Sequence, residues 1–242
     1  MAEPLIRHVS DTAFLVAQCR ALETARSDAL FADPLAARLA GDKGKAIVES
    51  FATRAMTAWQ VAIRTAVIDD LIGAAVAGGV GMVINLGAGL DTRPFRLDLP
   101  PDLVWIEVDY ADVIGFKKER LAGEPVRFGF ESVALDLADG AARRAFLAQL
   151  DARGRRALVL TEGVVPYLSV EQVGELADDL RQLKMVERWI VDYFSPEAHA
   201  WGDGRRRRHL ARELIKFRPS DWFGFFESHG FRARQVHYLP EE

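Results

Sequence analysis

The run Met82-Val83-Ile84-Asn85-Leu86-Gly87-Ala88-Gly89-Leu90-Asp91-Thr92-Arg93 decides the fold. A short apolar stretch entered from Gly81 and left through Gly87 reads as a strand buried on both faces, as strands of parallel sheets are. Gly87 and Gly89, with Ala88 between them, let the chain turn sharply. They also let a ligand approach the main chain where a Cβ would stand in the way. In an open α/β sheet, ligands settle at the carboxyl ends of the strands near the switch point, so whatever leaves this strand is the first place to look for chemistry.

Downstream, similar runs recur at residues 103–109 (LVWIEVD), 132–137 (SVALDL), 157–161 (ALVLT), 188–193 (RWIVDY) and 231–239 (FRARQVHYL). Helical stretches such as 140–153 and 170–183 lie between them. Strands alternating with helices predict βαβ units and a mostly parallel sheet with helices on both faces and the first strand near its centre. The last run alternates more than the others, which predicts a place nearer an edge. Upstream, residues 10–79 read as helix throughout. Ser10 or Asp11 can cap a first helix, Asp33 followed by Pro34 opens a second, and Gly41 is a natural stop for it. Residues 46–77 then carry apolar side chains at helical spacing (Ile47, Phe51, Met56, Trp59, Ile63, Val67, Leu71). The expectation is one domain over residues 1–242: a helical cap, 1–79, laid over the strand ends, and an α/β core, 80–242.

Composition narrows the function. Half of the 242 residues are hydrophobic and 27% are charged, a balance that suits a packed core and excludes a disordered chain. Thirty-one basic against 35 acidic side chains leave a net charge of -4, a field that repels a phosphate backbone, so no nucleic-acid partner is expected. Cys19 is the single cysteine, and no Cys or His pairs stand at metal-ligand spacing, so neither a disulfide nor a bound metal is expected. The opening MAEPLIRHVSDTAFLV has no basic stretch followed by an unbroken apolar one. Every apolar run meets a charge before the roughly 18 residues of a membrane span, which predicts a cytoplasmic protein without a membrane partner.

Two details of the glycine loop choose among ligands. About 20 residues on, the second strand ends at Asp109, whose carboxylate can accept two hydrogen bonds from a ribose diol. That pairing marks an adenosine-bearing cofactor. Yet Thr92 stands where the dinucleotide fingerprint has its third glycine, and Asp91 sits inside the turn, where it would repel a pyrophosphate. A ligand carrying an ammonium or sulfonium group suits this loop better, which favours S-adenosylmethionine over a nicotinamide cofactor. The alternative for Asp91 is a plain cap of the next helix.

The segments ALETARSDALFADPLAARLAG, NLGAGLDTR, EVDYADV, DLAD and LVLTEGVVPYLS occur in this order. Together they closely resemble the bacterial S-adenosylmethionine-dependent O-methyltransferases related to leucine carboxyl methyltransferase, from about residue 11 to the end of the chain. The resemblance implies a Rossmann-like class I methyltransferase fold with S-adenosylmethionine as cofactor. Gly87, Ala88 and Gly89 would then approach its methionine part, and Asp109 would hold the ribose. Asp136 and Leu137 would contact adenine, Glu162 would lie near the methionine amino group, and Arg64 would pair with the methionine carboxylate. Asp91 completes the candidate cofactor residues. Taken singly, Asp136 also reads as an ordinary strand-ending carboxylate and Arg64 as a solvated helix residue with its stem on the core.

The function expected is methylation of a small-molecule carboxylate or hydroxyl. The alternatives are a non-catalytic S-adenosylmethionine-binding protein and, further off, a nicotinamide-dependent oxidoreductase, for which no hydride-relay pair is identifiable. A carboxylate acceptor needs no general base and a phenol benefits from one. No residue is nominated as catalytic, since His199, the best-placed histidine, reads as a surface residue. Tyr167, Tyr193 and Phe194 follow strands, where their faces could shelter a sulfonium. Arg205 to Arg208 form a charge run that reads as a solvated helix with Leu210, Leu214 and Phe217 on its apolar side, or as a rim drawing an acidic substrate. Phe14, Met56, Trp59, Trp201 and Trp222 are candidate pocket walls. Methyltransferase sheets usually finish with an antiparallel hairpin, and 242 residues stop just after the run 231–239. The expectation is therefore that a C-terminal segment of relatives is lacking here, or that another element fills its place. The sequence does not disclose the oligomeric state.

Overall fold

The computed structural model describes residues 5–6, 8–193 and 215–238. Three helices come first: α1 (Val9–Thr24), α2 (Ala36–Ser50) and α3 (Arg54–Ala77). An alternation follows of β1 (Met82–Leu86), the single turn α4 (Arg93–Arg96), β2 (Val104–Asp109), α5 (Ala111–Arg120), β3 (Gly129–Ala134), α6 (Gly140–Asp151), β4 (Ala157–Thr161), α7 (Val170–Arg181) and β5 (Val186–Val191). The short helix α8 (Trp222–Ser228) comes last. All strand pairs are parallel, in the order β3-β2-β1-β4-β5, so β1 is the central strand, as the MVINL run predicts.

The sheet is apolar on both faces because helices cover both. Met82, Ile84 and Leu86 of β1 join Leu147 and Leu150 of α6 and Leu176 and Leu180 of α7 in one core. Val83 turns the other way, with Trp105 and Leu158, onto Ile68, Ile72 and Val76 of α3. Local signals set the helix starts. Asp139 accepts from Ala142 N at 3.0 Å ahead of α6, and Ser169 and Gln172 form a capping box at α7.

Several boundaries differ from the sequence reading. His8, not Ser10 or Asp11, caps α1: its ring accepts from Ser10 N, and Asp11 closes the box by accepting from His8 N at 2.8 Å. Asp33 does accept from Ala36 N at 3.1 Å, but Gly41, at φ 55°, only interrupts α2, which resumes to Ser50. The third strand spans 129–134 rather than 132–137, because it pairs residue for residue with β2 from Val104↔Gly129 to Asp109↔Ala134 and then leaves the ladder. The fifth spans 186–191 rather than 188–193 and pairs with β4 across an irregularity between Ala157 and Leu158.

The run 231–239 is not a strand over its described residues. Phe231 is drawn onto the indole of Trp189, ring centroids 5.1 Å apart, while residues 232–238 are exposed and have no ladder to join. Among the described residues the sheet therefore has five strands. No helix among them is long and apolar enough to cross a membrane.

A buried polar tie seats the helical segment on the glycine loop. Arg20 donates to Asp33 at 2.9 Å and to the Leu90 carbonyl at 2.6 Å, and Thr92 donates to the same Asp33 oxygen at 2.6 Å. Thr92 stands in place of the third glycine, and its hydroxyl is spent on joining loop and cap.

Candidate functional site

The carboxyl ends of β1, β2, β4 and β5, the loop after β3, and helices α1, α3 and α8 border one cavity of about 2160 Å³. It also runs over the edge strand β5, where Glu187, Arg188, Arg232 and Arg234 border it.

Gly87 and Gly89 both have positive φ, 71° and 51°. A Cβ on Gly87 would lie 2.4 Å from Val164 Cγ2, so the loop is closed against the chain beyond β4 in a way only glycine permits. Gly87 and Ala88 both donate to the Val108 carbonyl, at 2.7 and 3.0 Å. Asp109 grips the same loop from β2: its Oδ2 accepts from Gly89 N at 2.6 Å and its Oδ1 from Tyr110 N at 2.7 Å. Each oxygen keeps a lone pair, so two hydroxyls can still be accepted. Burial pushes the Asp109 carboxyl above its ordinary range, against the pull of those two N–H groups.

Asp136 is exposed, and its Oδ1 accepts from Ala138 N at 2.9 Å. Burial, and after it the Asp136 carboxylate, push up the neighbouring Tyr110 phenol. The Leu137 carbonyl takes a hydrogen bond from Arg143. Asp136, Leu137 and Tyr110 all border the cavity.

Asp91 borders it too, yet its oxygens are already engaged by Asn85 Nδ2 at 2.8 Å, Arg93 N at 2.9 Å and Arg93 Nη1 at 2.9 Å. Burial opposes its charge. Arg93, helped by Arg20 and Lys117, outweighs that and holds the carboxyl well below its ordinary range. Capping and ion pairing therefore occupy Asp91 in this structure.

Arg64 and Glu162 meet. Arg64 Nη2 lies 2.9 Å from Glu162 Oε1, and Arg64 Nη1 donates to Asp192 Oδ2 at 3.1 Å. Glu162 Oε2 accepts from the buried Arg93 at 2.7 Å, and Arg93 in turn pairs with Asp69, which Arg96 shares. Burial works against the charge of Glu162, but Arg93 and Arg64 prevail and keep its carboxyl below the usual range. Burial prevails at Asp192 and raises it, since Arg64 and the Gly163 amide offset only part of the cost.

This network holds three arginines (64, 93, 96) and four carboxylates (69, 91, 162, 192), one negative charge in excess. Beyond these ion pairs, its buried atoms Arg64 Nε, Arg96 Nε and Asp192 Oδ1 have no hydrogen-bond partner among the described residues. A buried polar atom left unpaired costs about 1–3 kcal/mol.

Arg93, Asn85, Tyr110 and Asp192 were not singled out as site residues by the sequence reading. Asp192 carried the same signal as Asp109, an acidic residue closing a β-branched run (WIVD beside WIEVD). Of the expected pocket walls, Met56 and Trp222 border the cavity, as do Tyr167 and Tyr193; Phe14 and Trp59 do not. Phe14 packs instead on Phe116, ring centroids 5.3 Å apart. Phe217 is buried against Phe225 rather than on a helix face. Phe194, His199, Trp201, Arg205 to Arg208, Leu210 and Leu214 lie outside the described residues. No group of three or more metal-ligating side chains occurs among those described.

A doubly wound sheet ordered 3-2-1-4-5, with a glycine loop leaving its central strand and a carboxylate closing the neighbouring one, defines a Rossmann-like fold of the class I methyltransferase kind. Within that class the comparisons are specific. The family described as leucine carboxyl methyltransferase matches residues 13–181. A Frankia alni protein, named as a candidate S-adenosyl-L-methionine-dependent methyltransferase, is 33% identical over 246 residues, 92% of this chain and 82% of its own length. One from Streptomyces avermitilis, named likewise, is 34% identical over 95% of this chain and 85% of its own. A solved candidate O-methyltransferase from Nostoc punctiforme is 16% identical over 96% of this chain and 69% of its own, with a TM-score of 0.46. The chain belongs to the leucine carboxyl methyltransferase family.

Proposed function

We propose that this protein transfers the methyl group of S-adenosylmethionine to an oxygen of a small-molecule acceptor, working in the cytoplasm as a single domain whose N-terminal helices close over the strand ends. One observation carries the reading: the buried arginine–carboxylate cluster has one negative charge in excess and, among the described residues, leaves Arg64 Nε, Arg96 Nε and Asp192 Oδ1 without a hydrogen-bond partner. An amino acid head group beside a sulfonium suits this cluster, giving N–H donors to Glu162, a carboxylate to Arg64 and positive charge to the whole, while Asp192 Oδ1 takes no part in holding it. The bare Gly87-Ala88-Gly89 turn leaves room for the methionine chain. Asp109 has two lone pairs left for the ribose diol, and Asp136 and Leu137 stand where adenine would follow. Asp91 acts here through Arg93, fixing the guanidinium that holds Glu162.

The cofactor supplies an activated methyl carbon, open to in-line displacement at a sulfonium. The chain's own contribution is placement and exclusion of water, worth up to roughly 7–11 kcal/mol of barrier. The net charge of -4 argues against a nucleic-acid acceptor.

Calorimetric titration with S-adenosylmethionine, S-adenosylhomocysteine and NADH tests the reading. The two adenosyl sulfur compounds should bind and NADH should not. Binding of NADH alone would overturn it.

A further inference from the structure

We infer that Asp192 is the general base of this methyl transfer, taking the proton of a phenol-class hydroxyl on the acceptor, so that the protein selects O–H acceptors over carboxylates. The inference rests on the methyltransferase reading above and adds to it the class of acceptor.

Two carboxylates flank the one guanidinium of Arg64, Glu162 from the end of β4 and Asp192 from the end of β5. Their surroundings separate their roles. Glu162 is held by a second guanidinium, Arg93 at 2.7 Å, and stays an anion. Asp192 is held by one guanidinium, Arg64, and by the Gly163 amide, both on Oδ2, at 3.1 and 3.0 Å, with its own backbone N–H adding to them. Its side chain is 7% exposed and its Oδ1 has no hydrogen-bond partner among the described residues. The charged groups facing it are Arg64 from α3 and Glu162 from just beyond β4, and against them burial wins and raises its proton affinity. Neighbouring carboxylates whose environments push their proton affinities apart divide into a fixed anion and a base.

Acceptor chemistry follows from the same charges. A carboxylate acceptor has no proton to give Asp192 Oδ1 and would bring a third negative charge beside Glu162 and Asp192. A neutral hydroxyl donates to the unpaired oxygen, and a phenol, with a pKa near 10, needs a base to become a nucleophile at neutral pH. The wall next to Asp192 suits a flat ring: Tyr193 packs on Trp222 and Phe223 at centroid distances of 5.0 and 5.5 Å, and all three border the cavity. In the step, the acceptor O–H proton passes to Asp192 Oδ1 as the oxygen bonds to the methyl carbon. The carbon–sulfur bond breaks with its electron pair kept by sulfur, which becomes an uncharged thioether. Asp192 then returns the proton to solvent.

The test uses full-length protein saturated with S-adenosylhomocysteine, with phenol and benzoate as matched probes titrated by ligand-observed NMR, for wild type and Asp192→Asn. Wild type should prefer phenol. The variant should keep S-adenosylhomocysteine affinity within about threefold, bind phenol more weakly and benzoate more tightly. It should also lose about 10²- to 10⁴-fold in methyl transfer to phenol, the range expected for removing a general base. The wild-type rate should fall about tenfold per pH unit below the ionisation of the base, a dependence missing from the variant. A fall of more than tenfold in S-adenosylhomocysteine affinity in the variant overturns the inference, since Asp192 would then be a cofactor ligand. Preference of wild type for benzoate overturns it as well, and this comparison stands even if the variant does not fold. Wild type that binds no S-adenosylhomocysteine would instead bring down the methyltransferase reading itself.

Discussion

The amide nitrogen of Gly89 stands 2.6 Å from Asp109 Oδ2, so the loop leaving the central strand is clasped by the carboxylate that closes the strand beside it. A strand-end carboxylate reserved for a ligand would have few protein partners to lose. Asp109 has two N–H partners, Gly89 N and Tyr110 N, whereas the exposed Asp136 has a short local turn to Ala138 N and the Tyr110 phenol at the surface. The two residues should therefore behave differently when removed.

Asp109→Ala should lower the stability of the ligand-free protein by about 1–3 kcal/mol, because two N–H groups lose a charged acceptor. Asp136→Ala should change it by less than about 0.5 kcal/mol, as surface substitutions do. Both should weaken S-adenosylmethionine binding by roughly 10- to 150-fold, through the loss of a charge-assisted hydrogen bond. Urea denaturation and calorimetry on the two variants check this. Equal stability losses would mean that the clasp on Gly89 carries no weight.

At Gly87, Ala would meet Val164 Cγ2 at 2.4 Å and would also have to hold φ at 71°. Gly87→Ala should cost about 1–3 kcal/mol and abolish cofactor binding. Adding Val164→Ala removes the clash but not the backbone strain. The double variant should recover part of the stability and stay roughly 1 kcal/mol below Val164→Ala alone. Full recovery would show that φ is not the constraint.

Asp33 is the shared acceptor of Arg20 and Thr92, and both side chains of the Arg20–Asp33 pair are nearly inaccessible to solvent. Asp33→Ala strands a buried guanidinium and should cost about 3–5 kcal/mol, while Thr92→Val, which removes one neutral donor, should cost about 1 kcal/mol. Thermal melts compare the two. An Asp33→Ala loss no larger than that of Thr92→Val would deny the cap its polar anchor.

Acid should reveal Asp91. Its carboxyl is held below the ordinary range in the folded protein, so as pH falls the unfolded chain takes up this proton first. The stabilisation is complete above the unfolded value of about 3.9 and is lost as pH drops through the folded one. The stability gap between wild type and Asp91→Asn, measured in urea, should be widest near neutral pH and narrow steadily below about pH 4. A gap independent of pH would mean that the Arg93–Asp91 pair does not depend on charge.

Much of the fold was legible in the chain because local rules set it. MVINL and ALVLT became β1 and β4 at their expected limits, since unbroken apolar runs between turn residues satisfy a sheet covered on both faces. The order of motifs was enough to place Gly87, Gly89, Asp109 and Glu162 at strand ends. Run 231–239 misled because alternation records which face of a segment is apolar, not whether a neighbouring strand is there to accept its hydrogen bonds.

Sequence by itself determined the central strand, the glycine turn, the acidic residues that follow the strands and the helical lead-in, all features written in stretches of a few residues. Tertiary structure alone decided how the charges are shared. It gave Asp91 to Arg93, set Arg64 between Glu162 and Asp192, and left one oxygen of Asp192 without a partner among the described residues. The partners in these pairs are up to 128 residues apart along the chain. Coulomb energy and desolvation depend on separation in space and on burial, and neither quantity exists until α3 has packed across the sheet.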